Sequence, residues 1–236
     1  PRPRTQAETR DDLAALYRLV AHFRMTDLID THISARVPGA DGRFLINRYG
    51  VLFHEMRPED LVKVDADGRG VDGDATGLVN AAGFTIHSAV HAARHDLQCV
   101  IHTHTADGIA VSAQAGGLLP ISQHALKFEG CLAYHDYEGI ALDLDERERL
   151  GRDLGAHQCM VLRNHGLLAA GRTIPEAFVN ILYLERACQA QIKAQAGGTP
   201  LVFPSEAVRQ RTARQFQREE ALAYCELAWQ AARRLV

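Results

Sequence analysis

Seven residues near the middle of the chain, Cys99-Val100-Ile101-His102-Thr103-His104-Thr105, constrain its fold most. With a two-residue period, Val100, His102 and His104 share one face of a strand, and Cys99, Ile101, Thr103 and Thr105 share the other. Two imidazoles on one strand face can close on a single ion at the mouth of a sheet. The plain alternative is one buried core histidine and one that caps the following helix. Arg163-Asn164-His165-Gly166 shifts the balance, because it follows a short apolar run, Cys159-Met160-Val161-Leu162. A third histidine then stands at the end of a second strand, with a glycine for a tight turn behind it. Three histidines and an open position are the pattern of a catalytic rather than a closed structural site. Imidazole donors suit zinc first, with Mn, Fe, Co or Ni as alternatives.

The rest of the chain supplies a core for such a site. Of its 236 residues, 47% are hydrophobic, enough for one domain over 1–236, with a core over about 7–200 and a C-terminal helix over about 205–234. Lys+Arg number 26 against Asp+Glu 29, a net charge of -3 with no basic face, which argues against a nucleic-acid partner. No apolar run reaches membrane-spanning length, and Pro1-Arg2-Pro3-Arg4 has no apolar segment of the signal-peptide kind, so neither membrane nor export is expected. The 5 cysteines are odd in number and widely spaced, without a CxxC, and read as reduced core residues of a cytoplasmic protein.

Leu13, Leu16, Leu19, Val20 and Phe23 predict an amphipathic helix over Ala7 to Met25, opened near Thr9 or Asp11. Asp30 to Val37 alternates as a strand, Pro38 to Gly42 turns, and Phe44-Leu45-Ile46 returns. Leu61 to Asp65 is a third strand, with Asp67-Gly68 turning and Val71 leading to Gly77. Asn80 to Arg94 is a helix with Phe84, His87, Ala89, Val90 and His91 on one face. After the His102 strand come a short helix over Ala106 to Ala115, an extended stretch over Leu118 to Ile121, a strand over Cys131 to Tyr134 and a polar helix over Asp145 to Leu154. Thr173-Ile174-Pro175-Glu176 opens a helix running to about Ala196, and Ser205 to Arg234 reads as one last long helix. The fold class is α/β, layered around a central, mainly antiparallel mixed sheet.

Asn80-Ala81-Ala82-Gly83-Phe84-Thr85-Ile86-His87, His102-Thr103-His104-Thr105, Gly117 to Ser122, Ala133-Tyr134-His135-Asp136-Tyr137 and Arg163-Asn164-His165-Gly166-Leu167 together resemble the class II aldolase/adducin family over roughly residues 7 to 200. The chain looks closer to the adducin head and its bacterial relatives than to the sugar-phosphate aldolases. The resemblance implies a three-layer αβα fold and a homotetramer with metal sites near subunit boundaries. It also implies one divalent metal per subunit, held by His102, His104 and His165 and acting as a Lewis acid on a carbonyl.

The departures are as informative. The general acid/base Glu of the aldolases falls on Gly83, and their phosphate-binding positions carry His32, Tyr49, Ala81 and Ala82. No cleavage of fuculose-1-phosphate-like or ribulose-phosphate-like sugars is therefore expected. His32 and His124 are candidate catalytic acids, each set against a purely structural reading, since histidine titrates near neutrality. Tyr49 and Arg163 are candidate substrate contacts, Arg163 as a fork for a carboxylate or else as a helix cap. His87 and His91 read as packed or interfacial, and His135 as part of a structural turn. Three functions follow: a metal-dependent lyase acting on a small carbonyl or carboxylate substrate, by decarboxylation or retro-aldol cleavage; an inactive adducin-like assembly module; or Fe(II) oxygen chemistry on the same fold.

Overall fold

The computed structural model describes residues 4–73, 79–139 and 145–236, without the side chains of Ala81 and Ala82. The expected loop toward Gly77 and the cradle role of Ala81 and Ala82 lie outside the described residues. In chain order the elements are α1 (Gln6–His22), β1 (His32–Arg36), β2 (Phe44–Asn47), β3 (Leu61–Val64), α2 (Ala81–Ala93), β4 (Cys99–Thr103), α3 (Ala106–Ser112), α4 (Gln123–Leu126), β5 (Leu132–His135), α5 (Glu146–Leu154), β6 (Cys159–Leu162), β7 (Gly166–Gly171), α6 (Ile174–Gln195), α7 (Glu206–Phe216) and α8 (Ala221–Ala232).

The strands form one seven-stranded sheet in the order β3-β2-β1-β4-β7-β6-β5. Every pairing is antiparallel except β5 with β6, so the sheet is mixed and mainly antiparallel, as expected. Strand alternation divides the core. Ile33, Ala35, Cys99, Ile101, Val161, Leu167 and Ala169 pack with α1, α6 and α8 on one side. Val100, Met160, Leu162, Leu168 and Ala170 pack with α2 and α5 on the other. The result is three layers, helices on both faces of the sheet.

The ends of several helices differ from the sequence reading. α1 starts earlier, because Thr5 and Glu8 cap it reciprocally: the Glu8 N–H donates to Thr5 Oγ1 at 3.2 Å and the Thr5 N–H to Glu8 Oε2 at 2.8 Å. Thr9 lies within the helix, and its hydroxyl donates to the Thr5 carbonyl. The Leu118 to Ile121 stretch joins no strand, and Ser122 then caps α4 by accepting the Ala125 N–H at 3.1 Å. The last long helix is two. α7 buries only Ala213, and the break near Gln217 re-aims α8 so that Cys225, Trp229 and Ala232 reach the core. An unbroken helix would carry that apolar stripe past the sheet. All 5 cysteines are free, and none of the described helices is long and apolar enough to cross a membrane.

Candidate metal centre

The site forms where β4 ends beside the β6–β7 turn. His102 is the fourth residue of β4, paired with His32 on one side and Leu168 on the other. His104 follows directly after the strand. Thr105, not a histidine, caps α3: it accepts the Gly108 N–H, and its hydroxyl donates to the buried Glu185 of α6. The chain is thereby held on both sides of His104. His165 lies in the turn between β6 and β7 rather than at a strand end. The left-handed residue of that turn is Asn164, φ 55°, a backbone region that asparagine tolerates better than most side chains. Gly166 serves a different need, since a Cβ there would run into the Thr103 carbonyl of β4.

These three residues bring their Nε2 atoms together. His104 Nε2 lies 2.8 Å from His102 Nε2 and 2.9 Å from His165 Nε2. Their outer nitrogens dictate which atoms carry protons. His102 Nδ1 lies 3.0 Å from the Leu167 carbonyl, which can only accept, and His104 Nδ1 lies 3.0 Å from Asp27 Oδ2. Both Nδ1 atoms therefore donate, and the Nε2 atoms of His102 and His104 face each other as bare lone pairs. Two lone pairs at that separation repel unless a cation stands between them, so the donor set fits a divalent metal. Among the described residues this is the one group of three or more donors able to hold an ion. Burial, with the neighbouring imidazoles, holds His102 well below the usual histidine range and lowers His165 to about 4, so both stay neutral, the form that binds metal.

The other candidate residues are distributed unevenly. His32 is buried and stacks near His102, ring centroids 6.3 Å apart, with neither of its nitrogens hydrogen-bonded among the described residues. Burial, then His104 and His165, lowers its pKa to about 3. Arg163 sits at the rim of a pocket that also contains His135, Tyr137 and His165. Its guanidinium is already engaged: Nη1 donates to the Gln114 carbonyl at 2.7 Å, and the group lies 4.4 Å over the Tyr134 ring. It is held by the loop after α3. His124 packs on Tyr183 of α6, and Tyr49 stands half-exposed in the turn after β2; among the described residues neither is one of the converging donors. His135 is a buried strand-end residue rather than a turn residue, its Nδ1 2.7 Å from Asp153 Oδ2. Sequence reasoning missed Asp27 altogether. Only its place in the fold, beside His104, gives it a role.

A family model described as the class II aldolase and adducin N-terminal domain matches residues 11–192. The chain belongs to this family. A solved aldolase II superfamily protein from Pseudomonas syringae is 54% identical, with a TM-score of 0.93 over 99% of this chain and 93% of that one. An L-fuculose 1-phosphate aldolase from Glaciozyma antarctica is 28% identical, with a TM-score of 0.87 over 99% and 94%. Mouse alpha-adducin is 47% identical over 193 residues, 80% of this chain and 26% of that protein. The class II aldolase-type fold is thus established for this family member, with enzymes and adducins both among its relatives.

Proposed function

We propose that this chain is a divalent-metal-dependent lyase acting on a small carbonyl or carboxylate substrate, by decarboxylation or retro-aldol cleavage. The observation that carries this reading is the pair of facing lone pairs on His102 and His104, with His165 completing the donor set. The metal, zinc first and Mn, Fe, Co or Ni as alternatives, supplies Lewis-acid stabilisation of the negative charge that bond cleavage develops. His102, His104 and His165 would hold it, and a further coordination position would be open to substrate. His32, beside His102, is an uncharged group able to pass or accept a proton, and it stands in for the carboxylate absent at Gly83. His124, and Tyr49 as a substrate contact, act only if a neighbouring subunit brings them to the site, as in a homotetramer. Light scattering checks that: a tetramer is expected, and a stable monomer at micromolar concentration would remove both residues from the site.

The decisive test is elemental analysis of the purified protein combined with product detection on 2-oxo acids, 2-hydroxy acids and sugar phosphates. About one metal per chain and turnover of an acid are expected. Turnover of a sugar phosphate would place the chain with the sugar-phosphate aldolases. The adducin-like reading, an assembly module without catalysis, is favoured by Gly83 and by the likeness to alpha-adducin. A metal-loaded protein inert toward every substrate would support it.

A further inference from the structure

Gly83 stands in the first turn of α2, and His32 opens β1 opposite His102. A β-carbon on Gly83 would overlap Cε1, Nε2 and Cδ2 of the His32 ring. No side chain fits at 83 while that ring is in place. The ring is firmly seated. Thr31 before it is buried with φ 70°, a conformation that a β-branched residue adopts only under constraint. Behind it, the Tyr17 hydroxyl of α1 accepts the Ile33 N–H at 2.8 Å and donates to the Ile33 carbonyl. His32 is 5% exposed, and neither ring nitrogen has a hydrogen-bond partner among the described residues. It stacks on His102 of the histidine cluster and lies beside the converging donors without joining them.

We propose that His32 and residue 83 are alternative occupants of one seat beside the metal, and that placing an imidazole there instead of a carboxylate selects a small chelating acid, a 2-oxo or 2-hydroxy carboxylate. The selection rests on the metal-lyase reading above; the shared seat does not. With three neutral imidazoles as ligands, no donor offsets the charge of a divalent ion. The nearest carboxylate known to touch the cluster, Asp27, lies behind His104. An incoming carboxylate supplies the missing charge and gives the His32 N–H an acceptor, which a buried donor otherwise lacks at a cost. A carboxylate at 83 would instead repel it.

Two measurements separate the parts. In a melting cycle on the metal-free protein, Gly83→Ala alone should lower Tm by about 5 °C, from overpacking against the ring. The same change in a His32→Ala background should lower Tm by less than about 2 °C, since alanine is otherwise the better helix former. Additive losses would overturn the shared seat. The second measurement follows the visible spectrum of the Co(II)-substituted protein titrated with glycolate and with neutral hydroxyacetone. Glycolate should bind the native protein about tenfold or more tightly than hydroxyacetone. The His32→Ala/Gly83→Glu pair should lose about tenfold or more for glycolate alone, the effect of one added charge within about 10 Å at an effective dielectric of about 20. The His32→Ala/Gly83→Gln pair should retain most of it. Equal glycolate binding in the native and Glu proteins, or equal loss with Gln and Glu, would overturn the selection. Failure of every protein to take up Co(II) would overturn the metal reading and the selection with it, while the melting cycle would still decide the seat.

Discussion

Two groups of three histidines lie side by side in this molecule, and they are built differently. His102, His104 and His165 turn their Nε2 atoms inward, and the first two have outer nitrogens held by Leu167 and Asp27. His87 and His91 of α2 reach down to Ser34 of β1, with His32 at the start of that strand. Ser34 Oγ sits 2.6 Å from His87 Nδ1 and 2.9 Å from His91 Nε2, while His87 Nε2 and His91 Nδ1 have no hydrogen-bond partner among the described residues. Ser34 has one proton, so at least one of its two rings must donate to it. In sequence the i, i+4 spacing of His87 and His91 looks as ligand-like as His-x-His. The difference is where the lone pairs point: at one another in the first group, into a chain of single contacts in the second.

The largest expected effect separates the groups outright. His104→Ala should abolish stoichiometric metal binding, because His104 Nε2 is the atom shared by both short contacts. His87→Ala should leave about one metal per chain. Elemental analysis of both variants checks this, and loss of metal in His87→Ala would erase the distinction.

Acid should act on both groups, since burial lowers His102 and His165 as well as His32, His87 and His91. In the second group, burial lowers His32 and His91 to about 3 from the usual histidine value of 6.5, so unfolded chains take up protons first as pH falls below 6.5. Stability contributed by these neutral rings is complete above pH 6.5 and is lost progressively down to about pH 3. At pH 5 the two together should cost of order 4 kcal/mol, or about 8–16 °C in Tm. Urea unfolding of the metal-free protein between pH 7.5 and 5 measures it. A flat profile would mean that these rings are not held neutral by burial.

A smaller pair of effects sharpens the contrast. Asp27→Asn should weaken metal binding about 10–100-fold, as loss of an orienting partner does at metal-bound histidines, with little change in Tm of the metal-free protein. Ser34→Ala should do the reverse: about 1–3 kcal/mol of stability lost with two imidazole nitrogens unpaired, and metal affinity within about threefold. Competition with a chromophoric chelator, alongside thermal melts, reads both, and a crossed result would exchange the roles assigned to the groups.

Short-range pattern was enough to expose a good deal here. Period-two alternation places His102 on the α2 side of β4 and Ile101 on the α1 and α6 side. The Thr173-Ile174-Pro175-Glu176 entry opens α6 as expected, with Thr173 Oγ1 accepting the Glu176 N–H at 3.1 Å. These features depend on residues a few positions apart, where backbone geometry alone sets the outcome. The break between α7 and α8 was not legible, because every residue from 217 to 220 tolerates a helix; it is the need to bury Trp229 that bends the chain.

The amino-acid sequence by itself determined most of the strands, the family and the histidines that carry the candidate chemistry, since each is written in local spacing or in motif. Tertiary structure alone decided that Asp27 meets His104 across 77 positions, that Arg163 is engaged by the loop after α3, and that the His32 ring fills the space a side chain at 83 would need. Those outcomes depend on volume and on the direction of lone pairs between residues distant in the chain, and neither quantity exists until the sheet has brought them together.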